Sequence, residues 1–445
     1  RNNWLQLSFT ELRSLSRKIM EAPMQAREIS KAIYTEFLQR HSLDNVWQTT
    51  MMGDMQEARG RHVLYLGIFN DTDTLTGATN VVLESSHFGA LHAGSPRGPI
   101  LDYTGSQVTA SLQAVRDFLK QKHVMYWTLN PYAVYEKHTL DGKAVQGSRC
   151  QGMYDQLMAA GAHHRGFVHG IDNSTEPRWM YVIPTDFDSP QAMLDSFAHK
   201  CSRSIRRAMD FGVQVRELSE EELPLVDEMF VHAGDKHEFS WRNDDYTRRL
   251  WNAFHDSGAV KFLVAEITLQ DYMGRLQKTL ETLRQQQAET EDSIARIRSK
   301  KMLNRLKEIE QKTASVQKHL EEAETFEADG PVLKLAAGIF FDYGQEVICL
   351  MSGYDERYAW FCGPYAMHWQ MLKHCLEQGY ARYNLYGISG EFGDDAVDSG
   401  VYAFKKGFNG EIWELPGDFE IPVDPVRYSL LRVARKLKGI RHRTS

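Results

Sequence analysis

Short apolar runs alternate along this chain with polar turns and with stretches whose apolar residues recur every three or four positions. Between about residues 60 and 150, "HVLYLGIF", "ATNVVLESS" and "VMYWTLNP" read as strands, with "VTASLQAVRDFLKQKH" as a helix. A comparable series follows. "RWMYVIPT" reads as a strand, "SPQAMLDSFAHKCSRSIRRAMDFG" as one helix, and "VQVREL", "VKFLVAEI", "LKLAAGIFFD" and "EVICLMSGY" as strands. The helix "YAMHWQMLKHCLEQG" and the strand "YARYNLYG" complete it. The pattern predicts an α/β (α+β) protein of two related domains built on one plan without a close sequence repeat.

Residues 267–328 differ in character, being rich in Glu, Lys, Arg and Gln. Leu269, Met273, Leu276, Leu280 and Leu283, then Ile294 and Ile297, follow heptad steps. A second seam runs through Met302, Leu306, Ile309, Val316 and Leu320, and the phase breaks at "RIRSKK". One unbroken helix of this length would run roughly 90 Å and strand its far end away from the sheet. An antiparallel helical coiled-coil hairpin over 266–329 returns the chain to where it left. The predicted division is a first domain over 1–155, joined by part of the C-terminal segment, and a second over 156–265 and 330–423. A basic C-terminal helix over 424–445 follows.

A length of 445 residues suits two or three domains, and 42% hydrophobic with 25% charged residues is an ordinary globular balance. The net charge of −7 argues against a bulk polycation. Five scattered cysteines without C-x-x-C spacing favour free thiols in a reducing compartment. No apolar run is long enough to span a bilayer, and "RNNWLQLSFTELRS" lacks the apolar core of a secretory signal. The expectation is a cytoplasmic protein, with peripheral contact at the inner face of the membrane left open.

Several chemistries find no motif. There is no phosphate-binding G-x-x-x-x-G-K-[ST] loop and no G-x-G-x-x-G after a strand; "GISGEFG" has the wrong spacing. His163, His164 and His169 lack a carboxylate or thiolate at ligand spacing, so no metal is expected. No serine or cysteine sits in a nucleophile turn. A coenzyme A loop of the R/Q-x-x-G-x-G/A type has its nearest match at Arg149-Cys-Gln-Gly152-Met-Tyr154, where Tyr154 spoils the last position. Positive charge gathers on Arg203, Arg206 and Arg207, at helical spacing, and on a tail holding Arg435, Lys436 and Lys438. Such patches suit an RNA backbone, an anionic membrane or a plain solvated surface. "SGVYAFKKGFNG" reads as a strand placing Lys405 and Lys406 between aromatics.

The order of segments resembles the FemABX family of peptidoglycan aminoacyltransferases, in its FemA/MurM-like branch with a coiled-coil arm. "SPRGPILDY", "LNPYAVY", "RNDDY", "GPYAMHWQMLKHCLEQGYARYNLYGISGEF" and "GVYAFKKGFNGEIWELPGDFEIPV" are similar to family segments from about Gln48 to the tail. The resemblance implies two GNAT-like domains, no cofactor, and aminoacyl-tRNA as donor of Ala, Ser or Gly. It implies the side-chain amine of the stem-peptide lysine of lipid II, or of UDP-MurNAc-pentapeptide, as acceptor. A coenzyme A-dependent acetyltransferase and a non-catalytic membrane-associated scaffold with a helical arm remain the alternatives.

On this resemblance Lys405 matches the first lysine of an F-K-x-x-[FY] segment, and Arg97 and Asp102 fall in an R-G-P-x-x-D segment. Arg242 and Tyr246 match a segment linked to nucleotide-sugar phosphates, and Tyr386 lies in a substrate-binding stretch. Where the family often has a phosphate-holding lysine, this chain has Gln56, with Arg59 and Arg61 just beyond. Transfer is aminolysis of an ester: an amine of pKa about 10.4 must lose a proton, and the tetrahedral intermediate carries an oxyanion. Lys405 is assigned to stabilise that charge or the leaving 3′-hydroxyl, and Asp102 is the candidate base. On a strand, Lys405 would face the cleft and Lys406 solvent. Arg203, Arg206, Arg207, Arg435, Lys436 and Lys438 are the candidate contacts for tRNA or membrane.

Overall fold

Two mixed sheets carry the chain. In the first, seven strands lie in the order Gln25–Glu28, His62–Phe69, Leu75–Ser85, Leu91–Ser95, Val124–Leu129, Phe419–Pro422, His163–His164. The second has eight, in the order Glu136–His138, Glu411–Glu414, Trp179–Pro184, Arg382–Ile388, Glu346–Tyr354, Val332–Tyr343, Val260–Thr268, Gln214–Glu217. This computed structural model describes residues 24–42, 45–85, 91–171, 175–237, 246–297 and 299–441, with the backbone alone for 231–237 and 436–441. Arg242 and the N-terminal segment read for a signal lie outside the described residues.

Each sheet repeats one plan. An antiparallel meander of four strands leads through a single helix, Val108–Gln121 or Gly363–Gln378, into a strand parallel to the meander's last member. An antiparallel neighbour follows in both cases. Central strands such as Val332–Tyr343, "VLKLAAGIFFDY", are near-continuous apolar runs because both of their faces are covered. The helix Gly363–Gln378 has a proline in its first turn and ends on Gly379 in the left-handed conformation, where no Cβ opposes the turn.

The two halves exchange strands. Glu136–His138 leaves the first half to edge the second sheet, while His163–His164 and Phe419–Pro422 sit in the first. A boundary at residue 155 would cut the helix Gln151–Ala159, whose Met153 and Leu157 are buried in the first-sheet core. A separate apolar core joins the halves. Val46, Trp47, Met52 and Met55 pack there with Leu250, Phe254 and Phe341.

The insert is a pair of packed helices, Leu269–Arg296 and Lys300–Thr325, each roughly 40 Å long. Leu276, Leu280, Leu283 and Ile309 are buried between them, and the break falls where the heptad phase failed. Ser299 caps the second helix through the Met302 N–H at 3.3 Å. At the root, Leu269 N–H donates to the Pro331 carbonyl at 2.9 Å, and Tyr272 and Leu276 pack with Leu333 and Phe361.

Two elements differ from the sequence reading. The long helix over 189–212 is two, Pro190–Ser196 and His199–Phe211. At the junction Ala198 gives its N–H to the Gly407 carbonyl, a tertiary bond replacing a helical one. "SGVYAFKK" is a helix, Ser399–Lys406, not a strand. Tyr402 and Lys405, three positions apart, share its buried side.

Candidate active site

The parallel strands Glu346–Tyr354 and Arg382–Ile388 are paired only through Glu346–Ile348 and Arg382–Asn384; beyond those residues they diverge. Both carry irregularities beside the divergence. The register shifts between Ile339 and Phe340 on one side and between Asn384 and Gly387 on the other. Tyr386 adopts φ +65°, a left-handed backbone costing roughly 1–2 kcal/mol, held by its N–H on the Asn384 Oδ1 at 2.8 Å. The result is a wedge in the sheet floored by the Tyr386–Gly387 backbone.

Lys405 reaches this place from the helix Ser399–Lys406. It is 8% exposed, and its Nζ donates to the Gly387 carbonyl at 2.6 Å. An ammonium has three donors. Among the described residues Gly387 is its one hydrogen-bond acceptor. Burial pulls its pKa down to about 8, partly offset by Cys349 and Asp398. Asp398 is also buried and accepts from the Ser389 N–H at 2.8 Å and from the Ser389 hydroxyl at 2.5 Å. His368 lies beside this group, fully buried, and burial followed by the Lys405 charge drives its pKa to about 3. Its Nδ1 lies 2.6 Å from the Tyr383 hydroxyl, and the imidazole, neutral at that pKa, backs the ammonium. Lys406, one helical step on, points to solvent and pairs with Asp141 at 3.1 Å. The inward and outward split of the two lysines is therefore produced by helical rather than strand geometry.

No thiol here is an activated nucleophile. Burial pushes Cys349 and Cys201 up to about 12 and raises Cys362 and Cys375 as well. What the wedge offers is a buried positive charge with donor capacity to spare, suited to charge that develops during acyl transfer.

The other sequence candidates are dispersed. Arg97 is 1% exposed, with φ +56°. Asn130 Oδ1 takes its N–H at 2.7 Å, and its guanidinium donates to the Pro177 carbonyl at 2.7 Å between the Trp47 and Tyr132 rings. It thus ties the two halves together from within. Tyr386 stacks on Trp47 at 5.8 Å with a 9° tilt and gives its hydroxyl to Glu176. Tyr246 begins the helix Tyr246–Phe254 and is buried in the core joining the halves. Arg59 is exposed just past the helix Thr50–Glu57 that packs on this same core.

Asp102, the candidate base, is engaged in a turn. It is exposed, its Oδ1 accepts from Thr104 Oγ1 at 2.6 Å and from the Thr104 and Gly105 N–H groups, and these bonds lower its pKa. A carboxylate stabilised in this way is a weak base; it holds the turn after the SPRGP segment. Arg203, Arg206 and Arg207 lie on the helix His199–Phe211, Arg206 paired with Asp195 at 2.8 Å. Arg435 on the tail helix Pro425–Arg441 pairs with Glu420 at 3.1 Å and bonds the Tyr126 hydroxyl at 3.0 Å. The side chains of Lys436 and Lys438 lie outside the described residues.

One further cluster has metal-ligand character. Glu136, His138 and Glu414 bring three ligand atoms within 4.8 Å of one another, beside a cavity of about 530 Å³ walled by Tyr135, Phe167 and Trp179. Both carboxylates already hold guanidinium groups. Arg149 bonds the two oxygens of Glu136 at 3.0 and 2.8 Å, and Arg178 bonds Glu414, which also lies 2.6 Å from His138 Nε2. A cation would have to displace both arginines. The same pairing engages Arg149, at the start of the nearest coenzyme A-type match, whose Gln151 begins a helix. His164 and His169 contact the backbone carbonyls of Pro416 and Gly390, and His163 stacks on Tyr428.

Sequence reading missed His368, Asp398, Glu176 and Trp47. Ser389 and Asp398 are nine residues apart across a loop, and no spacing rule joins them. Trp47 had a visible signal, an aromatic beside the "QTT" segment, but its stacking partner is 339 positions away.

The model of the FemAB family matches residues 29–436. Aminoacyltransferase FemB of Staphylococcus epidermidis is 31% identical over 423 residues, covering 93% of this chain and 100% of the relative. Aminoacyltransferase FemA of Staphylococcus epidermidis is 28% identical over 419 residues, with the same coverage. Among solved structures, the crystal structure of FemX superimposes with a TM-score of 0.74 at 19% identity, covering 91% of this chain and 99% of that one, which establishes a shared fold.

Proposed function

The chain belongs to the FemAB family of aminoacyltransferases, and from that premise we propose that it moves alanine, serine or glycine from aminoacyl-tRNA to a peptidoglycan precursor. The acceptor is the side-chain amine of the stem-peptide lysine, on lipid II or UDP-MurNAc-pentapeptide, and the product is part of the cross-bridge. The observation that carries this reading is the buried Lys405 ammonium, bonded to the Gly387 carbonyl where the two parallel strands part.

In the proposed step the acceptor nitrogen attacks the ester carbonyl carbon. An amide bond forms, the ester C–O bond breaks, and the proton lost by the amine ends on the departing ribose hydroxyl. The Lys405 ammonium stabilises the oxyanion and then the leaving oxygen. Its pKa of about 8 lets it hold the charge at neutral pH and still exchange a proton with either partner. No covalent enzyme intermediate is required, in keeping with the protonated thiols. The strained Tyr386 backbone and its bond to Glu176 place an aromatic wall beside the wedge at the junction of the two halves. Arg59, and Arg242 and Tyr246 from their family segment, are proposed for the acceptor's phosphates.

The test is transfer of radiolabelled amino acids, one charged tRNA at a time, to lipid II and to UDP-MurNAc-pentapeptide. Label should reach the lysine side chain of one of these acceptors, and Lys405→Met should lose transfer. Equal label incorporation from acetyl coenzyme A without tRNA would overturn the reading.

A further inference from the structure

We propose that the groove between the helix His199–Phe211 and the root of the helical hairpin binds the phosphodiester backbone of an RNA. The groove encloses about 540 Å³, and Arg203, Arg206 and Arg207 face Arg275 and His319 of the two hairpin helices across it. Trp360 also lines it. This partner deepens the proposed function and rests on its RNA donor.

Charge is the first argument. Within a chain of net charge −7, Arg203, Arg207 and Arg275 have no carboxylate partner among the described residues. Arg206 is held by Asp195 in an exposed pair, which competes weakly with a phosphate, and Asp210 is the one acid lining the groove. Like charges brought together without counter-charge repel one another. The arrangement is favourable once an anion with several phosphates lies among them, because guanidinium groups bind phosphate oxygens in pairs.

Preorganisation is the second. The Arg207 guanidinium lies 4.1 Å from the centre of the Trp360 ring, and the His319 ring stacks 4.4 Å from it at 26°. The indole thereby fixes an arginine that would otherwise sample many rotamers. Gly212 ends its helix with φ +83°, and a Cβ at that position would come within 2.9 Å of Arg275 Nε. Glycine suits that left-handed backbone and leaves the arginine room beside it.

Shape favours RNA over a bilayer. The charges line a concave channel, which receives a ridge rather than a plane. Trp360, 40% exposed, is contacted by Arg207 and His319, which tie its ring into the wall of the channel. The site also spans two elements, so a bound strand would bridge the hairpin to the sheet domain that carries Lys405.

The experiment compares the full chain with Arg203→Gln/Arg207→Gln/Arg275→Gln, using fluorescence anisotropy of uncharged tRNA across a salt series. Affinity should fall at least tenfold, and the slope of log K against log salt should shrink by about 2 to 3, since each lost phosphate contact removes roughly 0.7–0.9. Lys300→Gln/Lys307→Gln/Lys312→Gln, removing equal charge from the second hairpin helix outside the groove, should leave the slope as in the parent. Equal losses in both variants would overturn the proposal by making net charge the cause. Unchanged tRNA binding by the groove variant, with lost binding to phosphatidylglycerol vesicles, would overturn it in favour of a membrane. If the parent transfers from charged tRNA while the groove variant binds like the parent, the groove alone fails. If the parent neither binds nor uses tRNA, the donor reading fails with it. Should the triple variant unfold, Arg203→Gln and Arg275→Gln singly should each reduce the slope by roughly 0.7–0.9.

Discussion

At the scale of single residues, Lys405 couples stability to chemistry. Its pKa is 10.5 when exposed and about 8 in the fold. Below pH 8 both folded and unfolded chains carry the proton, so the fold bears the cost of a buried charge, about 3 kcal/mol for this shift. Between about 8 and 10.5 only the unfolded chain keeps the proton, so stability rises with pH across that window. The buried thiols, which ionise first in the unfolded chain, lower stability with pH in both proteins, so the readout is the difference: urea unfolding at pH 7 and at pH 10 should show the parent gaining about 2–3 kcal/mol relative to Lys405→Met. The same variant should lose transfer by about 100-fold or more, the scale of removing one preorganised donor to an oxyanion. A variant with parental turnover would remove Lys405 from the mechanism. Asp102 gives the opposite expectation. Asp102→Asn keeps an acceptor for Thr104 and Gly105, so transfer should stay within about threefold of the parent, whereas a general base would lose several orders of magnitude.

At the scale of elements, long-period patterns were legible in the sequence and short aromatic ones were not. The hairpin's break was visible because a phase slip in a heptad can be counted, and the central strands were visible as unbroken apolar runs. "SGVYAFKK" defeated this reasoning. Its aromatics at 402 and 404 suggest alternation, yet burial follows Tyr402 and Lys405, and only the surrounding core decides between the two periods. The resemblance singled out Lys405, while its bond to Gly387 depends on a strained bulge that no local signal announces. The tail helix makes a further prediction. Tyr428 and Leu431 pack toward Met125 and Tyr126, leaving Val426, Leu430 and Val433 exposed at 73, 67 and 57% on one face beside Arg427 and Arg432. An exposed apolar face flanked by arginines is the pattern by which an amphipathic helix meets an anionic bilayer. Leu430→Glu/Val433→Glu should weaken co-flotation with phosphatidylglycerol vesicles at least tenfold, since partial burial of two such side chains is worth about 2 kcal/mol. The thermal midpoint should be unchanged because neither side chain is packed; parental flotation would sink the idea.

At the scale of the molecule, two copies of one plan are fused into one body. Each half lends a strand to the other's sheet, and a common core of Trp47, Met52, Leu250 and Phe341 lies between them. Arg97 and Tyr132 cross the same seam through Pro177 and Asn384. Unfolding one half would pull the edge strand Glu136–His138 or the interior strand Phe419–Pro422 out of the other. It would also expose Trp47 and leave the Arg97 guanidinium without its acceptor, so the separate melting of either half is costly. Calorimetry should therefore give one transition with equal calorimetric and van't Hoff enthalpies, despite 445 residues. Arg97→Ala should lower that transition by about 3 kcal/mol, the scale of removing a large buried side chain with its hydrogen bond. It should do so without splitting the transition, because the strand exchange remains. The functional consequence is a fixed distance between the wedge at Lys405 and surfaces on the first half. The bonds across the seam leave no hinge between the wedge and the first half, and two resolved melting transitions would remove the basis for that rigidity.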